Sequence, residues 1–217
     1  MIPRHDFAYD KACEFIVAEQ IANLPVNPFE IIKRNRWGFA TYKRLGVLAC
    51  AAGDFTPLLG KSRDGFTIYN SRNYCIVYND AIGSFSRIVF TLMHEIAHIW
   101  LEHLKRFSEK ELILYRRELD EEASLFASFV LAPSVVIKRC GLDSIANLRS
   151  ACGLSHEAAA RRLIQFRSWQ PREADKPVER LLDAYIKVSI ARRTFSPAAE
   201  ILFEDEEGND IANSCMT

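Results

Sequence analysis

His94-Glu95-Ile96-Ala97-His98 is the stretch on which the reading of this chain turns. Two histidines four residues apart lie on one face of an α-helix, one turn above the other, so both imidazoles can reach a single ion. Between them, Glu95 carries a carboxylate placed to take a proton from a water held at that ion. The flanks are helical. Ser84 can cap a helix ahead of the run Phe85-Ser86-Arg87-Ile88-Val89-Phe90-Thr91-Leu92-Met93, and Ile99-Trp100-Leu101 keeps it apolar beyond the second histidine. The pattern predicts one helix over residues 84–104, apolar on most sides and therefore buried. Two imidazoles and a carboxylate inside it must be desolvated, which is costly unless something pairs with them. A lone histidine there would be a hydrogen-bonded core residue; the pair with Glu95 points to a metal.

The neighbouring sequence supplies a small sheet and more helices. Phe66-Thr67-Ile68-Tyr69 and Tyr74-Cys75-Ile76-Val77-Tyr78 read as strands of a β-hairpin, with Asn70-Ser71-Arg72-Asn73 between them and the turn signal Asp64-Gly65 ahead. Residues 7–24 form an expected amphipathic helix stopped by Leu24-Pro25. Asn27 then caps a helix that opens on Pro28 and is expected to run to Trp37-Gly38. After the His-Glu helix, a second long helix is expected from Glu109 to Ala132, stopped at Pro133. Shorter helices follow near 134–140, 144–151 and 156–168, with Gly141 and Gly153 at their breaks. Trp169-Gln170-Pro171-Arg172-Glu173 reads as a linker to a last helix near 177–193. Phe203-Glu204-Asp205-Glu206-Glu207 beyond it reads as a solvated acidic end. The fold class is α+β: mostly helical, with a hairpin or small sheet beside the active-site helix. Residues 1–170 are expected to form the catalytic domain and 171–217 a helical extension with an acidic tail.

Composition narrows the function further. The 217 residues are 49% hydrophobic and 26% charged, an ordinary globular balance. Lysine plus arginine equals aspartate plus glutamate at 28 each, so no global field draws the protein to nucleic acid or an acidic membrane. Cys13, Cys50, Cys75, Cys140, Cys152 and Cys215 are scattered, with no C-x-x-C pair. They read as small buried hydrophobes in a reducing compartment rather than a disulfide frame or a thiolate zinc site. The opening Met1-Ile2-Pro3-Arg4-His5-Asp6 lacks the apolar core of a signal peptide, and no apolar run approaches membrane-spanning length. The expected location is the cytoplasm.

A catalytic zinc usually has three protein ligands and one open position. The extended pattern with glycine at 101 and histidine at 104 is absent, since those positions are Leu101 and Leu104. His103, five residues past His98, would point away from the ligand face of a continuing helix. A carboxylate from the second long helix is the other common solution. On a helical wheel Leu112, Tyr115, Leu119, Ala123, Phe126 and Val130 define the apolar stripe, and Glu122 falls inside it. Glu118 lies nearer the margin, suited to a supporting or salt-bridging role, while Asp120 and Glu121 project to the opposite side. The alternative for Glu122 is a buried salt bridge, with Arg87 as a candidate partner.

Arg87-Ile88-Val89-Phe90-Thr91 ahead of the His-Glu motif, Glu122-Ala123-Ser124-Leu125-Phe126-Ala127, and Leu131-Ala132-Pro133 together resemble the ImmA/IrrE group of metallopeptidases. The resemblance spans roughly residues 9–168 and takes in Leu24-Pro25-Val26-Asn27-Pro28-Phe29 and Leu154-Ser155-His156-Glu157-Ala158-Ala159. Members are small zincin-like proteases of bacteria, phages and mobile elements, thought to cleave helix-turn-helix transcriptional repressors. The resemblance implies His94, His98 and Glu122 as metal ligands and Glu95 as general base. It departs at Ala132, where a methionine often precedes the proline. It implies zinc-dependent peptide hydrolysis, with manganese or iron also compatible with a His-His-Glu site. The expected substrate is a partner repressor, laid extended along a sheet edge for which the 74–78 strand is the local candidate. A second oxyanion donor is open among Tyr78, Tyr115, Tyr185, His103 and His156.

Two rival classes remain. One is an antirepressor that acts by contact alone, with a structural or vestigial metal site; the intact Glu95 argues against it. The other is DNA binding through residues 148–166, which read as helix, Gly153, helix, with Arg161, Arg162 and Arg167 on the second helix. The neutral charge and Arg149, where such a motif prefers a small residue, argue against that one.

Overall fold

The computed structural model describes residues 4–44, 64–69 and 72–195. Helix α1 (His5–Ala18) buries Ala8, Ala12, Phe15 and Ile16, and α2 (Pro28–Arg34) starts as its sequence dictates, with the Asn27 side chain accepting from the Phe29 N–H at 3.1 Å. α2 ends four residues before the glycine that was expected to stop it. Asn35 closes the helix, and Arg36 takes a left-handed φ of 56° that turns the chain into strand β1 (Gly38–Thr41). Gly38 permits that strand to pair: a Cβ there would sit 3.1 Å from Cys75 Cβ and Sγ on the neighbouring strand.

Strands β2 (Gly65–Tyr69) and β3 (Tyr74–Tyr78) pair antiparallel, as a hairpin should, with Tyr69 opposite Tyr74. β1 joins β3 in parallel on its other side, giving the order β1-β3-β2. β3 is therefore the central strand, hydrogen-bonded along both edges, and cannot take an added strand. That overturns the expectation that the 74–78 strand receives substrate; the edge on the active-helix side belongs to β2.

Helix α3 (Phe85–Trp100) begins at Ser84, whose hydroxyl accepts from the Arg87 N–H. Leu92, Met93, Ile96 and Ala97 are inaccessible to solvent along it. It stops at Trp100, short of the expected 104. Glu102 adopts a left-handed φ of 58°, and the chain reverses into the single turn α4 (His103–Arg106). The expected second long helix is likewise two pieces, α5 (Glu109–Leu114) and α6 (Arg116–Leu131), broken at Tyr115. Phe15 joins the three main helices, edge-on to Trp100 of α3 at 5.0 Å and to Phe126 of α6 at 5.3 Å between ring centroids.

The C-terminal part follows the sequence closely: α7 (Ser134–Arg139), α8 (Ile145–Cys152) and α9 (His156–Arg167), with Gly141 and Gly153 at positive φ in the breaks. Helix α10 (Asp175–Phe195) sinks Val178, Leu182 and Ile186 into the same core. The acidic stretch 203–207 lies outside the described residues. Arg162, a candidate for DNA contact, is wholly buried instead. Its Nε donates to the Ala132 carbonyl at 2.9 Å and its Nη2 to Ser134 Oγ at 2.7 Å, with the guanidinium 5.0 Å over the Phe129 ring. It ties α9 to the end of α6, so α9 does not present it to a groove.

Candidate active site

One turn of helix separates His94 from His98, and their Nε2 atoms stand 3.1 Å apart. From α6, which packs alongside, Asp120 Oδ1 comes within 3.5 Å of His98 Nε2 and 4.0 Å of His94 Nε2. Among the described residues these three are the single group of histidine, cysteine, aspartate or glutamate side chains close enough to share an ion. Tetrahedral zinc with bonds of about 2.0–2.2 Å places its ligand atoms roughly 3.3 Å apart, and the observed separations bracket that value. The donor set of two imidazoles and one carboxylate therefore fits a divalent metal.

The other nitrogen of each ring is spoken for. His94 Nδ1 lies 3.2 Å from Ser124 Oγ, one turn beyond Asp120 on α6, and His98 Nδ1 lies 2.9 Å from His103 Nδ1. Partners at both Nδ1 atoms leave the Nε2 lone pairs to converge. Burial pushes the pKa of His94 down to about 3, the two neighbouring histidines add to this, and Asp120 opposes it. His94 is therefore neutral at physiological pH, the form that ligates a metal. Burial works against ionisation of Asp120, but His98, His94 and Arg116 outweigh it and hold its pKa below the usual value.

Glu95 is buried next to this group, and its Oε2 accepts a hydrogen bond from Thr67 Oγ1 of β2 at 2.8 Å. Burial raises its pKa, opposed by His98 and by the Thr67 hydroxyl. A carboxylate with raised proton affinity and one oxygen left unengaged by that bond suits a general base. β2 can approach because residue 65 is glycine: a Cβ there would lie 2.8 Å from Thr91 Cγ2 on α3. These groups open into a cleft of about 810 Å3, floored by Phe66, Ile68 and Phe90 and flanked by Leu112 and Ile113 of α5.

Glu122 is as buried as its place in the apolar stripe predicts, but the structure does not bring it to the histidine pair's Nε2 atoms. Its partner is Arg4, whose backbone N–H and Nε donate to Oε1 at 2.9 Å each and whose Nη2 donates to Oε2 at 2.8 Å. Arg87, the alternative partner read from sequence, instead clasps Asp64 at 2.7 Å. Burial opposes ionisation of Glu122, yet Arg4 and His103 outweigh it and bring its pKa down to about 2. The charge-pairing demand that singled out Glu122 is thus met by a guanidinium. Asp120 lies outside the stripe, at the margin of the core beside the histidine pair, where its carboxylate stays half-exposed. The signal available in sequence was Asp120 with Ser124 at a four-residue spacing, both facing α3.

His103 also departs from expectation. Because α3 stops at Trp100, the turn at Glu102 brings the ring back under His98 rather than away from it. None of Tyr78, Tyr115, Tyr185, His103 and His156 lines the cleft.

A mostly helical α+β fold, with a three-stranded mixed sheet against a helix bearing two histidines and a glutamate, is that of a zincin-like metallopeptidase. Residues 54–164, just over half of the chain, match the family model Peptidase_M78, the IrrE N-terminal-like domain, and the chain belongs to that metallopeptidase family. A comparison with curated proteins finds no match to the chain. Among the described residues no helix is long and apolar enough to cross a membrane.

Proposed function

We propose that this protein is a zinc-dependent regulatory endopeptidase that cuts a partner helix-turn-helix transcriptional repressor, with His94, His98 and Asp120 holding the metal and Glu95 as general base. The observation that carries it is the convergence of both Nε2 atoms and the Asp120 carboxylate on one point beside the Thr67-held carboxylate of Glu95. When bound there, a divalent ion supplies Lewis acidity, making water more acidic and the scissile carbonyl more electrophilic. The chain does the rest. Glu95 takes the proton of the attacking water on its free oxygen and returns it to the departing amine. Among the described residues no strand pairs with the outer edge of β2, which would take an extended segment, and the apolar lining of the cleft would receive its side chains. The repressor as substrate rests on the family resemblance.

Glu95→Gln is the test, with a helix-turn-helix repressor that the wild type cleaves as substrate. The variant keeps the metal and the fold and loses cleavage by at least about a hundredfold, since Gln cannot accept the proton. Cleavage within tenfold of wild type would remove Glu95 from the mechanism. Tight binding of a repressor with no cleavage by the wild type would transfer the assignment to an antirepressor.

A further inference from the structure

Behind the face of His98 turned to Asp120, a line of side chains runs to the start of the chain. His98 Nδ1 meets His103 Nδ1 at 2.9 Å. His103, with no accessible surface, turns its Nε2 toward Glu122 Oε2 at 3.5 Å without completing a hydrogen bond. Glu122, equally buried, takes three hydrogen bonds from Arg4. Arg4 is itself steadied, its guanidinium 4.0 Å over the Phe7 ring and its carbonyl accepting from the Ala8 N–H as the first bond of α1.

The proton positions along this line follow from its two ends. An ion on His98 Nε2 requires the proton on Nδ1, which then donates to His103 Nδ1. His103 must accept there, so its own proton sits on Nε2, facing a carboxylate. Three hydrogen bonds from Arg4 fix that carboxylate in place. With an ion on His98 Nε2, the site end and the Arg4 end thus demand the same tautomers, and neither histidine then has a second arrangement that satisfies both neighbours.

We propose that Arg4, Glu122 and His103 are positioning residues that fix the ring and tautomer of His98, so that docking of the N-terminal segment sets the affinity of the metal site. None of the three touches substrate. The proposal rests on the His94, His98, Asp120 reading, and its test separates the two.

In the metal-free protein, long-range nitrogen–proton correlation of the histidine rings reports the tautomers directly. His98 is expected protonated at Nδ1 and His103 at Nε2; protonation of neutral His98 at Nε2 overturns the proposal whether or not zinc binds. Zinc affinity, from competition with a chromophoric chelator, supplies the second readout. Arg4→Ala and His103→Phe should each weaken zinc about 10–100-fold, the usual cost of losing a residue that orients a ligand. Arg4→Lys, which keeps a cation beside Glu122, should recover part of the loss. The double variant should be no weaker than His103→Phe alone, because both act through one ring. A folded Arg4→Ala protein that binds zinc within twofold of wild type overturns the proposal. Unchanged zinc binding in Asp120→Ala and His94→Ala would sink the ligand assignment instead, leaving the tautomer result to stand or fall by itself.

Discussion

Substitution of Gly65 by alanine tests whether the contact between β2 and α3 is as close as the site requires. The added methyl would lie 2.8 Å from Thr91 Cγ2, 3.1 Å from the Val77 carbonyl oxygen and 3.6 Å from Glu95 Cγ. The first distance is about half an ångström short of ordinary contact, and the second is to backbone that the sheet holds in register. Thr91 can change rotamer, since threonine in a helix uses two; the carbonyl cannot move without β3. Overpacking of this kind costs about 1–3 kcal/mol. For a chain of this size that lowers Tm by about 2–12 °C. Gly83→Ala is the control, because a Cβ there meets nothing within 4 Å. It should be neutral or stabilising by up to about 1 kcal/mol through the unfolded chain. Adding Thr91→Ala to Gly65→Ala should return part of the loss by removing the closer contact. The assay is thermal unfolding followed by circular dichroism. A Gly65→Ala protein that melts with wild type would mean that β2 does not press on the helix as described, and the Thr67–Glu95 hydrogen bond would lose its support.

Two further predictions concern protons. Thr67→Val removes the hydroxyl that donates to Glu95 Oε2. That hydrogen bond favours the charged carboxylate, so without it the Glu95 pKa should rise further. Because the base must be ionised to work, the acidic limb of the kcat/KM profile should move to higher pH; an unmoved limb refutes the role given to Thr67. Glu122 concerns stability. Its pKa in the folded protein is held down to about 2 from an ordinary 4.5, so its contribution is complete above the ordinary value and disappears as pH falls toward the folded one. The span corresponds to something on the order of 3 kcal/mol. Urea titrations between about pH 2 and pH 5 should show this decline in the wild type and a flatter one in Arg4→Ala; parallel curves would deny the ion pair that weight.

Much of the architecture is legible in the sequence because the decisive signals are local. Ser84 and Asn27 cap the helices they precede, Gly141 and Gly153 break the C-terminal ones, and the hairpin forms between the strands that flank its turn. What escapes is set by contacts between distant segments. Strand β1 exists because Gly38 fits against Cys75, a fact of pairing rather than of propensity. The early stop of α3 rests on a left-handed Glu102, which no residue type announces. The wheel reading of the second long helix correctly buries Glu122, but burial has two remedies. The remedy here is Arg4, 118 residues away in the chain, leaving Asp120 at the rim of the core for the histidines.

Zinc-edge anomalous scattering from crystals of the zinc-loaded protein would locate the metal and its ligands. One strong peak per chain is expected, about 2.0–2.2 Å from His94 Nε2, His98 Nε2 and a carboxylate oxygen of Asp120, with Glu122 still clasped by Arg4. A peak ligated by Glu122 in place of Asp120, or no peak at the histidine pair, would contradict it.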